Sequence, residues 1–171
     1  EIYTLSLHDA LPICASTIDY WEHRHKTNWD SHFAGWKAAD FGIAGDRTEN
    51  VLWRIQNGEL DGVKPKVFVL LVGTNNLAGD ALHAPSTPDE TFAGIKAIIA
   101  LLKQRQPQAH ILLMGVFPRD DRPLTDAIDQ LNVQLAALDD NAQVRFLNIN
   151  ARFTDGTGPA TGVILCDMLP Q

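Results

Sequence analysis

The sequence predicts an α/β protein, a three-layer α/β/α sandwich built on a parallel sheet. Apolar runs alternate with segments of helical periodicity along the chain. The runs are continuously apolar rather than alternating, as strands are when both faces of their sheet are covered. The segments leaving these runs, "GIAGDRT", "GTNN" and "FPRDDR", are rich in glycine and polar groups, as loops at the carboxyl rim of such a sheet are.

Four runs read as buried strands: 38–44 (AADFGIA), 66–73 (KVFVLLVG), 110–117 (HILLMGVF) and 144–149 (VRFLNI). The first helix between them, 47–56, sets Val51, Leu52 and Ile55 on one face and stops at Gly58. The second, 87–106, opens with a cap and acidic residues. It continues through Phe92, Ile95, Ile98, Ile99 and Leu102 and ends before Pro107. The third, 124–140, repeats the pattern with Ile128, Leu131, Leu135 and Leu138. Strands joined by such helices form right-handed crossovers, and their site lies where the strand order reverses. A further strand is needed directly before Ser16. Residues 9–14 supply it poorly, because Pro12 has no N–H for a ladder.

The chain has 171 residues, 45% of them hydrophobic, enough for one core and one domain. No repeat, low-complexity tract or linker divides it, and no apolar run reaches the length that spans a membrane. The net charge of −7 is spread out, and Lys and Arg form no basic stripe, which argues against nucleic acid. Cys14 and Cys166 have neither metal-ligand spacing nor a disulfide framework, and no ligand cluster is visible, so neither metal nor cofactor is expected. No basic segment followed by an apolar one marks an export signal, which leaves the compartment open. Residues 1–14, "EIYTLSLHDALPIC", resemble translated sequencing adapter. The natural sequence is therefore expected to begin near Ala15, with one domain over 15–171.

Acyl transfer needs a nucleophile, a base oriented by an acid, and N–H donors aimed at the developing negative oxygen. Ser16 stands just before a helical pattern, where a serine is either an N-cap or a nucleophile on the strand rim. Gly45 follows a predicted strand, and its N–H can point outward unobstructed or simply ease a tight turn. Asn75 offers an amide donor at the same rim or caps the next segment. With the Ser16 N–H, these make three convergent donors.

The blocks "STIDYW", "NWDSHF", "ADFGIAGDRTENVLWRIQNGELDG", "KPKVFVLLVGTNN", "GIKAIIALLKQRQPQAHILLMGVFPR" and "LN" carry a resemblance over nearly all of residues 15–169. From Ser16 onward the chain resembles the SGNH, or GDSL-like, hydrolases, in the branch similar to platelet-activating-factor acetylhydrolase catalytic subunits. The resemblance implies a flavodoxin-like parallel sheet and a serine esterase acting on small acyl esters, acetyl above all, without cofactor. It places the nucleophile at Ser16, the acid at Asp167 and the oxyanion hole at Ser16, Gly45 and Asn75. Trp21, Lys26, Trp29 and Phe33 keep the family's register between the first two blocks. A homodimer is also implied by the relatives.

Two departures stand against it. Cys14 and Ala15 replace the family's Gly-Asp before the serine, and the final Asp-x-x-His block reads "DMLP", with Pro170 in the histidine's place. None of the histidines at 8, 23, 25, 32, 83 and 110 is equivalent: His23, His25 and His32 read as surface-helix residues, and His110 opens a strand on the opposite rim. Without the base, turnover falls by ~10⁴ to 10⁶, so this chain is expected to be nearly inactive. A noncatalytic small-molecule or carbohydrate-binding module on the same fold is the alternative. A nucleotide binder is disfavoured, since neither G-x-G-x-x-G nor G-x-x-x-x-G-K-[ST] occurs. Short rim loops predict an open, shallow site without a lid. The four tryptophans, Trp21, Trp29, Trp36 and Trp53, read mostly as core. The ending "TGVILCDMLPQ" reads as short of a final helix.

Overall fold

The computed structural model describes residues 10–14, 26–33, 35 and 38–152. Four strands form one parallel sheet: β1 (Ala10–Cys14), β2 (Val67–Leu71), β3 (His110–Met114) and β4 (Val144–Leu147), in the order β1-β2-β3-β4. Register runs from Ala10 opposite Val67 to Cys14 opposite Leu71, so the carboxyl ends of β1 and β2 reach one rim together. The helices are α1 (Lys26–Phe33), α2 (Thr48–Gln56), a short α3 (Thr74–Ala78), α4 (Pro88–Arg105) and α5 (Arg122–Ala136). A 3₁₀ turn spans Asn150–Arg152.

The apolar faces read from the sequence meet in one cluster. Phe68 and Leu70 of β2, Ile111 and Leu113 of β3, and Val144 of β4 are buried with Val51 and Ile55 of α2, Ile95, Ile98 and Leu102 of α4, and Ile128, Leu131 and Leu135 of α5. Successive strand residues point to opposite faces. Leu71 accordingly leaves that cluster and meets Trp29 and Phe33 of α1 with Ala38. The sheet is thus flanked by helices on both faces.

Helix ends follow their caps. Thr87 accepts the Glu90 N–H (3.2 Å) while Glu90 accepts the Thr87 N–H (2.8 Å), a reciprocal capping box with Pro88 behind it. Asp121 accepts the Leu124 N–H (2.9 Å), which starts α5 at Arg122 rather than at 124. That helix ends at Ala136, short of the expected 140. Asp139 and Asp140 there accept backbone N–H groups of Phe146 (2.9 Å) and Val144 (2.8 Å), which binds the acidic pair to the start of β4.

Several expectations are corrected. Residues 38–43 form no strand: Asp40 accepts the Gly42 N–H (2.7 Å), Phe41 C=O accepts from Arg54 (2.9 Å) and Ile43 C=O accepts the Asp46 N–H (3.1 Å). These local bonds satisfy backbone groups that a ladder would otherwise use. Without that strand, the strand order shows no reversal among the described residues. The segment read as a poor strand does form β1. Pro12 sits opposite Val69 on an edge of the described sheet, where a missing N–H is tolerated. Trp29 is buried as expected, but Trp53 is 64% exposed on α2, and Trp21 and Trp36 lie outside the described residues.

Candidate active site

Two loops at the carboxyl rim build the site. The first is the turn closed by the Asp46 N–H on Ile43 C=O, 3.1 Å. Gly45 within it has φ +86°, a left-handed conformation that favours glycine, and nothing lies within 4 Å of where a Cβ would be. Its N–H has no acceptor among the described residues, and the residue is exposed. The second loop leaves β2 through Gly73, φ +127°. A Cβ there would stand 3.1 Å from Thr91 Cγ2 and 3.4 Å from Leu131 Cδ2, so the conformation disfavours a side chain and the space for one is tight. The bend delivers Asn75 into the first turn of α3.

Hydrogen bonds stitch the two loops together. Asn75 Nδ2 donates to Asp46 C=O (2.8 Å), and Arg47 Nη1 donates back to Asn75 C=O (3.3 Å). Asn76 is buried beneath them; its Oδ1 accepts the Thr48 N–H (2.9 Å) and its Nδ2 donates to Thr48 Oγ1 (3.1 Å) and Glu49 Oε2 (3.0 Å). Arg47, also buried, donates to Glu49 Oε1 (2.6 Å) and Ser86 Oγ (3.1 Å). Burial is the largest influence on Glu49 and raises its pKa. Hydrogen bonds from its own N–H, Arg47, Asn76 and Thr48 outweigh it and hold the carboxyl at about 2.

Below the turn, Arg54 of α2 donates through Nη2 to Asp46 Oδ2 and through Nη1 to Glu59 Oε1. One guanidinium thus serves two carboxylates. Burial raises Asp46 against the opposing pull of Arg54. Burial likewise pushes Glu59 up to about 7, with Arg54 opposing and the Asp46 charge adding to the rise.

An amide nitrogen carries two hydrogens, and Asp46 takes one from Asn75. The other is left over on half-buried Asn75, and the Gly45 N–H, without an acceptor among the described residues, belongs to the turn that Asn75 grips. The two predicted donors Gly45 and Asn75 are therefore brought together. Ser16 and Asp167 lie outside the described residues. The strand preceding Ser16 ends at Cys14 beside Leu71, on the rim from which Gly73 and Asn75 depart.

The described histidines stand elsewhere. His32 contacts Ser31 Oγ (2.8 Å) on α1, His83 contacts Asp80 (2.9 Å) in the α3–α4 loop, and His110 faces Ala142 C=O (3.3 Å) at the start of β3; all three are exposed. A concavity of about 500 Å³ lined by Lys64, Lys66, Arg105 and Pro107 opens at the amino ends of β2 and β3, the opposite rim. Among the described residues no group of three or more His, Cys, Asp or Glu is arranged to hold a metal, and no helix is long and apolar enough to cross a membrane.

Sequence reasoning assigned Gly45 and Asn75 but passed over Asp46, Arg47, Arg54 and Asn76. Asp46, Arg47 and Asn76 stand in "GDRTEN" and "GTNN" beside the glycine and asparagine, where polar residues also suit a solvated loop, and Arg54 lies outside both motifs.

The fold is a parallel α/β sheet with two hydrogen-bonded loops at its carboxyl rim, and the family follows from comparison. The family described as GDSL-like lipase/acylhydrolase matches residues 15–167, and the chain belongs to it. It is 40% identical over 135 residues to platelet-activating factor acetylhydrolase IB subunit alpha2 of Rattus norvegicus, covering 76% of this chain and 55% of that protein. Human subunit alpha1 is 40% identical over 134 residues, 75% of this chain and 55% of that protein. The chain spans about half the length of these curated relatives. A Streptococcus pneumonia structure provisionally described as a platelet activating factor shares the fold with TM-score 0.74 and 22% identity, over 94% of this chain and 75% of that one.

Proposed function

We propose that this chain carries the core of a serine acylhydrolase that cleaves small acyl esters, acetyl esters foremost, through an acyl-enzyme. The observation that supports the reading is the 2.8 Å bond from Asn75 Nδ2 to Asp46 C=O, which ties Asn75 to the turn that carries Gly45. In this reading Ser16 Oγ attacks the ester carbonyl. The oxygen that becomes negative is met by Gly45, Asn75 and the Ser16 N–H. A histidine held by Asp167 takes the serine proton and returns it to the departing alkoxide; water then releases the acid by the reverse path. The relatives named as acetylhydrolases support a short acyl group.

Pro170 occupies the position of that histidine. A serine hydroxyl without its base keeps only donor and binding effects, so this chain is slow by ~10⁴ to 10⁶. The domain pairs as a homodimer in this reading. The test is restoration: Pro170→His, with a family-like ending and native first strand, assayed on a short-chain aryl ester. A gain of several orders of magnitude is expected, and no gain counts against the triad. Ligand binding without reaction in the restored chain would instead indicate a noncatalytic binding module.

A further inference from the structure

We propose that Arg54 is a positioning residue for the oxyanion corner: through Asp46 it fixes the turn that presents the Gly45 N–H and the carbonyl on which the Asn75 amide hangs. The inference rests on the reading of Gly45 and Asn75 as oxyanion donors.

The turn has little else to hold it. Ile43 is 50% exposed, Ala44 and Gly45 are exposed, and among the described residues nothing beyond its chain neighbours lies within 4 Å of where a Gly45 Cβ would be. At Ile43, Ala44 and Gly45 side-chain burial is missing, and the buried residue that closes the turn is Asp46. Arg54 instead grips both flanks of the turn from α2. Its Nη1 donates to Phe41 C=O (2.9 Å) before the turn, and its Nη2 donates to Asp46 Oδ2 after it. Asp46 then transmits that grip twice. Its N–H closes the turn on Ile43 C=O (3.1 Å), and its C=O receives Asn75 Nδ2 (2.8 Å). A planar guanidinium fork can hold two diverging acceptors at fixed separation, which a point-like ammonium cannot.

Glu59 anchors the other side of Arg54. It accepts from Nη1, and its own N–H donates to Arg54 C=O (3.1 Å). The arrangement is poor as a device for stability alone: two carboxylates share one buried cation, and Arg54 Nε and Glu59 Oε2 are buried with no hydrogen-bond partner among the described residues. Such local cost is characteristic of sites held in a required geometry.

The test is residue-resolved hydrogen exchange by NMR on the full chain, comparing Arg54→Lys, which keeps the charge and loses the fork, with the parent. The Asp46 N–H is expected to exchange at least tenfold faster and the Asn75 side-chain NH₂ signals to shift, while Ile98 and Leu102 in α4 keep their rates. Asp46→Asn approaches the same link from the other side. It should loosen the same sites, and the double variant should loosen them no more than either single one. If Arg54→Lys does not fold, Asp46→Asn alone decides. Unchanged Asp46 and Asn75 signals in a folded variant overturn the proposal, as does exchange rising equally at Asp46, Ile98 and Leu102. The readout does not depend on ester chemistry. A restored chain whose Ser16 never reacts would remove the hydrolase reading while leaving Arg54's control of the turn measurable.

Discussion

Gly94→Ala sets two effects of opposite sign against each other. Alanine in the interior of α4 should stabilise the helix by about 1 kcal/mol over glycine. Here, though, a Cβ at 94 would stand 2.4 Å from Thr48 Oγ1 and 2.7 Å from Thr48 Cβ. Rotating the hydroxyl relieves only the first contact, and Thr48 is buried and bound to Asn76 through its N–H (2.9 Å) and its Oγ1 (3.1 Å). α2 and α4 must therefore separate, an overpacking cost of about 1–3 kcal/mol. Loss of a Thr48–Asn76 bond adds about 1 kcal/mol. Repulsion wins, leaving the variant roughly 1–3 kcal/mol less stable in urea. At about 2–4 °C per kcal/mol for a chain of this size, the melting temperature falls by roughly 2–12 °C. A Gly94→Ala protein that melts higher than the parent would refute the close approach of α2 to α4 beneath the site.

Three further outcomes follow from the same geometry. Asn75→Ala in the restored chain (Pro170→His with a family-like ending and the native first strand) should lower kcat by about 10²–10³, the cost of one oxyanion donor. Gly45→Ala meets no steric obstacle, but at φ +86° it should cost about 1–2 kcal/mol of left-handed strain in a denaturant titration. Glu59, facing Arg54 and Asp46, is raised from 4.5 to about 7 mainly by burial, so the native state holds its proton more tightly than the unfolded chain does. That contribution to stability is full below pH 4.5 and is lost as pH rises through about 7. Glu59→Gln should remove this slope in urea titrations across that window.

The helices were legible because periodicity and caps agreed. Thr87–Glu90 closes a box where the sequence offered one, and Ile95, Ile98 and Leu102 are buried where the 3.6 period put them. β2 to β4 were equally legible as continuous apolar runs. The run 38–44 has the same hydropathy and forms no strand, because Asp40 and Arg54 capture its backbone groups, and hydropathy does not register such capture. The five-residue α3 depends on the Gly73 bend, which carries no periodicity. At the site, Gly45 and Asn75 could be named from their motifs. Arg54 could not: on α2 it reads as an ordinary polar residue, and its importance arises from Asp46, Phe41 and Glu59 folding around it. Trp53 shows the converse, an aromatic that reads as core and stands in solvent.

The central claim is that the corner made by Gly45 and Asn75 serves a reaction at Ser16. Exposing the restored chain, Pro170→His with a family-like ending and the native first strand, to a fluorophosphonate and locating the adduct by peptide mass spectrometry tests it most directly. A phosphonylated Ser16, formed far more slowly when Asn75 is alanine, is the predicted result. An unmodified Ser16 in a folded protein, or modification indifferent to residue 75, would contradict it.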